Sequence, residues 1–501
     1  MHRPNPGRVR VAAGFIGDFP HRHELRVPVV SFGFIEEWVP APGRLTSWTA
    51  SPRSLEAVRR APAHPTPPSH QQEQYLRSLH RDAAAGFGGS RLCMISFTIP
   101  GSPDHAAWSR AFTAFLRRHD TFLSWFAVGD DGSVVRHVAA PTDIDLVPEE
   151  HGDMADSAAI RAHVEMVTPS ALWWDCWSFG VIEHENSFTV YAGVDHLHTD
   201  GVAQALSCVD LLMLYGNELS GGKLAPQPVD GHLAYCERER RGTAEMTAQS
   251  PNIRTWLELL RRNGGDVPSF PADLGVGTQR YIRGAQRTVH LVDEADALRF
   301  EEICTANGAR FTGGLFAAAA LVESEMSGGD WYFGLTPVNT RATAGETNSV
   351  GWYTSLIPVE FSVERADSFA TIVSRAQQAY DRGKDLTDVS LYRALELAPP
   401  EFGIHTQPGW TARMLSYVDV RKIPGVEMFD QINGGMFASR GMSREVYIWV
   451  NRFTDITQLS LLFPDTPQAH AAVDRYIAAT RTVFAAVAAD GDYAPRVGAL
   501  S

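Results

Sequence analysis

One stretch constrains this chain more than any other. An apolar run from Phe188 to Val194 leads into Asp195-His196-Leu197-His198-Thr199-Asp200-Gly201, and an amphipathic run follows from Val202 to about Leu214. The first run reads as a strand and the second as a helix. Strand, turn and helix in that order deliver a histidine to a strand end, where a substrate can reach it. An imidazole of ordinary pKa, near ~6.5, both takes and returns a proton around neutrality.

The rest of the chain repeats this alternation. Strand-like runs at Arg8–Ile16 and Val27–Ile35 precede a segment, Ala61–Ser69, with four prolines that reads as a linker or rigid loop. Helical spacing over Gln71–Arg81, a β-rich run Arg91–Ile99 and an amphipathic helix His105–Arg118 come next. A hairpin of Phe122–Val128 and Val134–Val138 around Gly-Asp-Asp-Gly follows. A helix-rich stretch, 229–263, ends at Asn263-Gly-Gly-Asp-Val-Pro-Ser-Phe-Pro271, which marks a lobe boundary between about 265 and 285. Beyond it, strands are expected at Arg287–Leu291, Trp331–Pro337, Trp352–Phe361, Met414–Val420, Glu445–Val450 and Leu459–Phe463. Helices are expected at Glu294–Ala306, Thr312–Met326, Ser368–Arg382 and Ala469 to about Ala488. The partition is an N-terminal extension, 1–64, an N-terminal lobe, 65–275, and a C-terminal lobe, 276–501, both lobes α/β.

Composition narrows the function. At 44% hydrophobic residues the chain can bury a large core. A formal net charge of −14 without a long basic stripe argues against a nucleic-acid partner and against simple electrostatic binding to anionic lipid. The five cysteines, Cys93, Cys176, Cys208, Cys236 and Cys304, show no Cys-x-x-Cys spacing and read as reduced, buried thiols. No apolar core follows the N-terminal arginines and no run of about 18 apolar residues occurs. A soluble, cytoplasmic protein is the expectation.

An accessible histidine suits transfer of an acyl group from a thioester to an alcohol or amine. The thioester is already activated, so one base and a donor aimed at the oxyanion suffice, the base contributing roughly 10²–10⁴-fold. His196 is the candidate base. Backbone N–H groups near Gly201 are a source of positive potential, and Gly201 is expected to let the chain turn tightly. Asp195, His196, His198 and Asp200 also invite a metal reading. His196 and His198 would point the same way only if the strand continued, and no distant ligand motif is visible, so no metal is expected. A serine hydrolase would need a Gly-x-Ser-x-Gly elbow, which is absent. Trp173, Trp174, Trp177 and Phe179 either line an acyl or sugar pocket or fill the core.

The central stretch resembles the His-His-x-x-x-Asp-Gly signature of condensation-type acyltransferases, which share the chloramphenicol acetyltransferase fold. His196 falls on its second histidine, Asp200 on its aspartate and Gly201 on its glycine, while Asp195 stands in place of the first histidine. Ser69-His-Gln-Gln72 resembles the family's opening Ser-x-x-Gln motif, and Arg118-His-Asp-Thr-Phe-Leu-Ser-Trp-Phe126 its Arg-His-Glu motif, with His119 structural. Residues 334–360 resemble the second-lobe motif Gly-x-Pro-x-x-x-Arg…Glu…Gly-x-Phe-x-Asn, with Arg341 on the arginine and no asparagine after Gly351. The plant-type Asp-Phe-Gly-Trp-Gly motif is missing. Asn263-Gly-Gly…Pro-Ser-Phe-Pro, Gly351-Trp-Tyr-Thr, Ser416-Tyr-Val-Asp and Asn451-Arg-Phe-Thr-Asp resemble the polyketide-associated (Pap-type) branch.

The resemblance covers roughly residues 30–490. It implies two chloramphenicol acetyltransferase-like lobes, mixed sheets with helices, arranged as a pseudo-dimer around an inter-lobe tunnel. It further implies transfer of a fatty or polyketide acyl group, from a carrier-protein or coenzyme A thioester, to a hydroxyl of a glycolipid or secondary metabolite. An amine acceptor and a catalytically silent carrier-binding scaffold are the alternatives. Asp200 would pair structurally with Arg341, Asp195 would shape the loop, and His198, Trp352 and Thr354 are candidate substrate contacts. No cofactor is implied beyond acyl-CoA or acyl carrier protein as co-substrate. The implied partners are a carrier protein or polyketide synthase and the acceptor. A monomer is implied, and peripheral membrane contact stays open.

Overall fold

The computed structural model describes residues 31–87, 91–223, 226–279, 281–405, 412–423 and 425–495. The strand expected at Arg8–Ile16 lies outside them, as does the start of the one expected from Val27.

Two sheets organise the chain. The first lobe contains β1 (Ser31–Phe34), β2 (Gly43–Ala50), β3 (Leu92–Pro100), a separate hairpin of β4 (Ser124–Val128) and β5 (Val134–Val138), then β6 (Leu146–Met154), β7 (Trp177–Glu183) and β8 (Ser187–Asp195). Its helices are α1 (Pro52–Arg59), α2 (His70–Ala84), α3 (His105–Arg118), α4 (Ser157–Val167), α5 (Gly201–Leu219), α6 (His232–Thr243) and α7 (Pro251–Arg262). The second half carries β9 (Gly284–Asp293), β10 (Trp331–Asn339), β11 (Thr354–Ser362), β12 (Met414–Asp419), β13 (Gly435–Ala438), β14 (Tyr447–Arg452) and β15 (Ile456–Pro464). Its helices are α8 (Glu294–Ala306), α9 (Phe311–Ser327), α10 (Phe369–Gly383), α11 (Leu391–Glu396), α12 (Val426–Phe429) and α13 (Pro467–Asp490).

The first sheet runs β1-β13-β3-β8-β7-β2-β6, and β8 sits at its centre between antiparallel neighbours. Alternation along the strands splits their side chains between two faces. Ile95, Phe97, Val190, Ala192 and Val194 join the aromatic residues of α3 and the apolar side of α5. Met94, Ile182 and Tyr191 on the opposite face join Ile160 and Val164 of α4. A sheet covered on both faces explains why β8 is buried from Phe188 to Asp195 without the polar alternation of a half-exposed strand. Gly180 of β7 makes room for the Tyr191 ring, which a Cβ there would approach to 2.3 Å.

The second sheet runs β11-β10-β12-β14-β15-β9. One face is covered by α8, α9, α10 and α13; α9 is buried all round from Leu315 to Val322, as its unbroken apolar stretch requires. The other face takes Trp256, Leu257 and Leu260 of α7.

The two halves of the sequence interlock. Between β12 and β14 the chain crosses into the first sheet, where β13 pairs antiparallel with β3 and parallel with β1. Val350, Phe429, Met436 and Phe453 complete the first lobe's core. Likewise β2, from the stretch read as an N-terminal extension, lies within the first sheet between β6 and β7. Trp174, Trp177 and Phe179 fill the core, Trp177 stacking on Phe179 at 5.2 Å, whereas Trp173 is 66% exposed.

Candidate active site

The central strand ends at Asp195, and one turn of 3-10 helix, His196–His198, carries the chain to α5. Asp195 is fully buried, and its carboxylate accepts hydrogen bonds from three segments of the chain. Oδ1 accepts the Leu197 N–H at 2.9 Å, and Oδ2 accepts the Tyr75 hydroxyl at 3.2 Å and the Arg91 N–H at 3.1 Å. Three donors on one buried carboxylate fix the turn that presents His196. The His196 N–H in turn donates to the Arg91 carbonyl at 2.8 Å.

Within residues 195–201, His196 is partly exposed and Gly201 is exposed, while the other five are buried. The His196 ring packs on the Trp352 indole at 4.4 Å between centroids. Burial pushes its pKa down to about 4; Arg91 acts in the same direction and Asp200 against it. The imidazole is therefore in its proton-accepting form at neutral pH.

Asp200 caps α5, its Oδ1 accepting the Ala203 N–H at 2.8 Å. The same carboxylate faces the second lobe. Arg341 Nη1 lies 3.0 Å from Oδ2 and 3.3 Å from Oδ1, and the Tyr353 N–H donates to Oδ2 at 2.8 Å. Arg341 Nη2 donates to the Ser349 carbonyl at 3.1 Å, and its guanidinium lies over the Tyr353 ring at 4.4 Å. Thr354, partly exposed, reaches Asp200 Oδ2 only at 3.5 Å.

Three placements correct the sequence reading. His198 is 2% exposed, its Nδ1 on Thr121 Oγ1 at 2.9 Å and its ring against Phe122, so it belongs to the core and offers no surface to a substrate. Gly201 has no left-handed φ, and a Cβ there would meet nothing within 4 Å. The glycine leaves open space at the head of α5 instead of enabling a tight turn. Trp352, at 2% exposure, is likewise buried.

The flanking motifs act as scaffolding. Ser69 and Gln72 form a capping box on α2, and Gln72 Nε2 donates to the Leu197 carbonyl at 2.9 Å, tying that helix to the His196 turn. His119 joins the lobes: Nδ1 accepts the Val350 N–H at 3.2 Å, which leaves Nε2 as the donor to Asp210 at 2.9 Å. Buried Arg136 and His232 also lie beside this network, and neither stands out in the sequence. The Asp195 and Asp200 carboxylates are turned to the donors above, and the His198 Nδ1 to Thr121. Among the described residues, His70, Glu73 and Glu396 do come together. Arg240 donates to His70 Nδ1 at 3.0 Å and pairs with Glu73, and Arg77 and Arg393 pair with Glu73 and Glu396, so the cluster is an ion-pair network.

Two α/β lobes meet at the buried Asp200–Arg341 pair, with His196 partly exposed at the head of α5. The condensation-domain family model matches residues 92–397, and the chain belongs to that family, in its Pap-type acyltransferase branch. It is 36% identical over 479 residues to the 2'-acyl-2-O-sulfo-trehalose (hydroxy)phthioceranyltransferase PapA1 of Mycobacterium bovis, covering 95% of this chain and 92% of that one. It is 37% identical over 456 residues to the trehalose-2-sulfate acyltransferase PapA2 of Mycobacterium tuberculosis, covering 90% and 96%. The solved PapA2 acyl transferase superposes with a TM-score of 0.85 at 36% identity, covering 92% of this chain and all of that one. The first condensation domain of the CDA synthetase matches with a TM-score of 0.65 at 18% identity, covering 88% and 99%, a likeness of fold. No helix among the described residues is long and apolar enough to cross a membrane.

Proposed function

We propose that this acyltransferase moves a fatty or polyketide acyl group from a coenzyme A or carrier-protein thioester to a hydroxyl of a trehalose-type glycolipid. The observation that carries this reading is His196, unprotonated and partly exposed at the head of α5, in a chain alike over nearly its whole length to two acyltransferases named for sulfated trehalose substrates. His196 Nε2 takes the proton of the acceptor hydroxyl as its oxygen attacks the thioester carbonyl. The tetrahedral oxyanion forms at the N-terminus of α5, where the helix dipole favours negative charge. Collapse expels the thiolate, and the imidazolium returns the proton to sulfur. Gly201 keeps the space beside the base clear for the two substrates.

Asp195 is the feature that favours the silent-scaffold alternative, since it replaces a motif histidine. Its carboxylate is spent on the Leu197, Arg91 and Tyr75 donors, all of which shape the turn, and His196 keeps its exposure. Asp195 is thus a support of the turn, compatible with activity. Release of free thiol from long-chain acyl-CoA, dependent on trehalose or trehalose-2-sulfate and accompanied by the acyl ester in the mass spectrum, tests the reading. Thioester binding without turnover for any acceptor would favour the scaffold.

A further inference from the structure

Residues 351–353 of the second lobe enter the first as a wedge whose backbone is held on both sides. Asp200 Oδ2 accepts the Tyr353 N–H at 2.8 Å, and His232 Nε2 donates to the Trp352 carbonyl at 3.2 Å. His232 is itself fixed, because Asp120 Oδ1 accepts its N–H at 2.6 Å and the Tyr353 ring meets its imidazole edge-on at 4.9 Å. Gly351 admits that imidazole; a Cβ there would come within 2.6 Å of it. The indole of Trp352, so clamped, lies 4.4 Å from the His196 ring and meets the Tyr75 ring edge-on at 5.7 Å.

We propose that Trp352 is a positioning residue for acyl transfer, a dry wall that holds the orientation of the His196 imidazole, with His232 and Asp200 as its anchors. The inference rests on His196 being the base. The direction an imidazole presents is set by two side-chain torsions, and a base works only within hydrogen-bond reach of the proton it takes. A misplacement of about 1 Å can cost 10²-fold in rate. The indole also keeps water from one side of the ring, which sustains the burial that lowers the His196 pKa. The charged or titratable groups around that ring are Arg91 just before β3, which lowers its pKa, Asp200 before α5, which raises it, Asp195 on β8 and Tyr75 on α2.

The test is the pH profile of kcat/KM, with kcat and KM measured separately, for wild type, Trp352→Phe, Trp352→Ala, His232→Gln and His196→Ala, each with a thermal melt. Trp352→Ala is expected to lower kcat by about 10²-fold with little change in KM, and to move the acid limb upward from about 4 toward an ordinary histidine value. Trp352→Phe and His232→Gln, which keep an aromatic wall and a donor, are expected to retain most of the rate and the low acid limb. A folded Trp352→Ala with an unmoved acid limb would overturn the inference, and so would a loss confined to KM, which belongs to a substrate contact. Should Trp352→Ala fail to fold, Trp352→Phe and Trp352→Leu decide it: equal rates and limbs in both contradict an aromatic wall. An active His196→Ala would instead remove the base assignment on which the inference stands.

Discussion

Asp200 of the first lobe and Arg341 of the second stand 3.0 Å apart, with side chains 6% and 1% exposed. The pair does two tasks at one point. Asp200 also caps α5 and accepts the Tyr353 N–H, while Arg341 also binds the Ser349 carbonyl. A buried charge is tolerated when paired and hydrogen-bonded in this way, and it then fixes how the lobes meet.

Removing one partner strands the other. Arg341→Leu or Asp200→Leu should each destabilise by about 3–5 kcal/mol, measured by urea unfolding. The double variant should cost less than the sum, because no buried charge is then left alone. Additive losses would show that the pair is not coupled.

At Gly201 the open space gives a prediction opposite to that of a tight turn. Gly201→Ala should melt at or above the wild-type temperature, since alanine suits a helix better than glycine by about 0.5–1 kcal/mol. Gly201→Leu should stay folded and lose activity through obstruction of the substrates beside His196. A marked loss of stability in Gly201→Ala would restore the tight-turn reading.

Acid should loosen the lobe junction before it reaches the surface ion pairs. Burial holds the pKa of His196 and His232 near about 4 and that of His198 near about 3. These groups bind protons more readily when unfolded, so their contribution is fully present above about 6.5 and declines as pH falls from there to about 4 for His196 and His232 and to about 3 for His198. Each contributes a slope of up to about 1.4 kcal/mol per pH unit in that window. Replacing His198 by Asn should flatten the dependence of unfolding free energy on pH between 4 and 6.5. An unchanged slope would show that His198 is not buried in its neutral form.

Tyr75 and Asp195 make a gentler test of the turn. Tyr75→Phe removes one donor to the carboxylate and should cost about 1 kcal/mol with His196 chemistry retained. Asp195→Ala removes the acceptor altogether and should cost more, with the Leu197 and Arg91 N–H groups left buried. Equal stabilities for the two variants would show that the carboxylate does not organise the turn.

What the sequence makes legible here is what is local or shared with a family. Strand, turn and helix around His196 follow from periodicity, and Ser69 to Gln72 stands out by its resemblance to a family motif, although its role as a capping box on α2 is seen in the structure. The bond from Gln72 to the Leu197 carbonyl spans 125 residues, and no pattern announces it. Strand β13 is four residues long and is a strand only because β3 and β1 flank it. Strand β6 is exposed along most of its length and lacks alternation; pairing with β2 alone makes it a strand. His198 looks available in the sequence because it sits two residues from the base, yet Thr121 and Phe122 of another segment bury it. Trp352 reads as the start of a strand, whereas β11 begins at Thr354 and the indole packs against His196 and Tyr75 of the first lobe instead.

The central claim is acyl transfer with His196 as base. The most direct measurement is acceptor-dependent thiol release from acyl-CoA and acyl-carrier thioesters, with trehalose and trehalose-2-sulfate as acceptors, comparing wild type with His196→Ala. The account predicts an acyl ester formed by wild type and a fall of roughly 10²–10⁴-fold in His196→Ala, with unchanged melting. Ester formation undiminished in that variant would place the chemistry elsewhere in the chain and contradict the account.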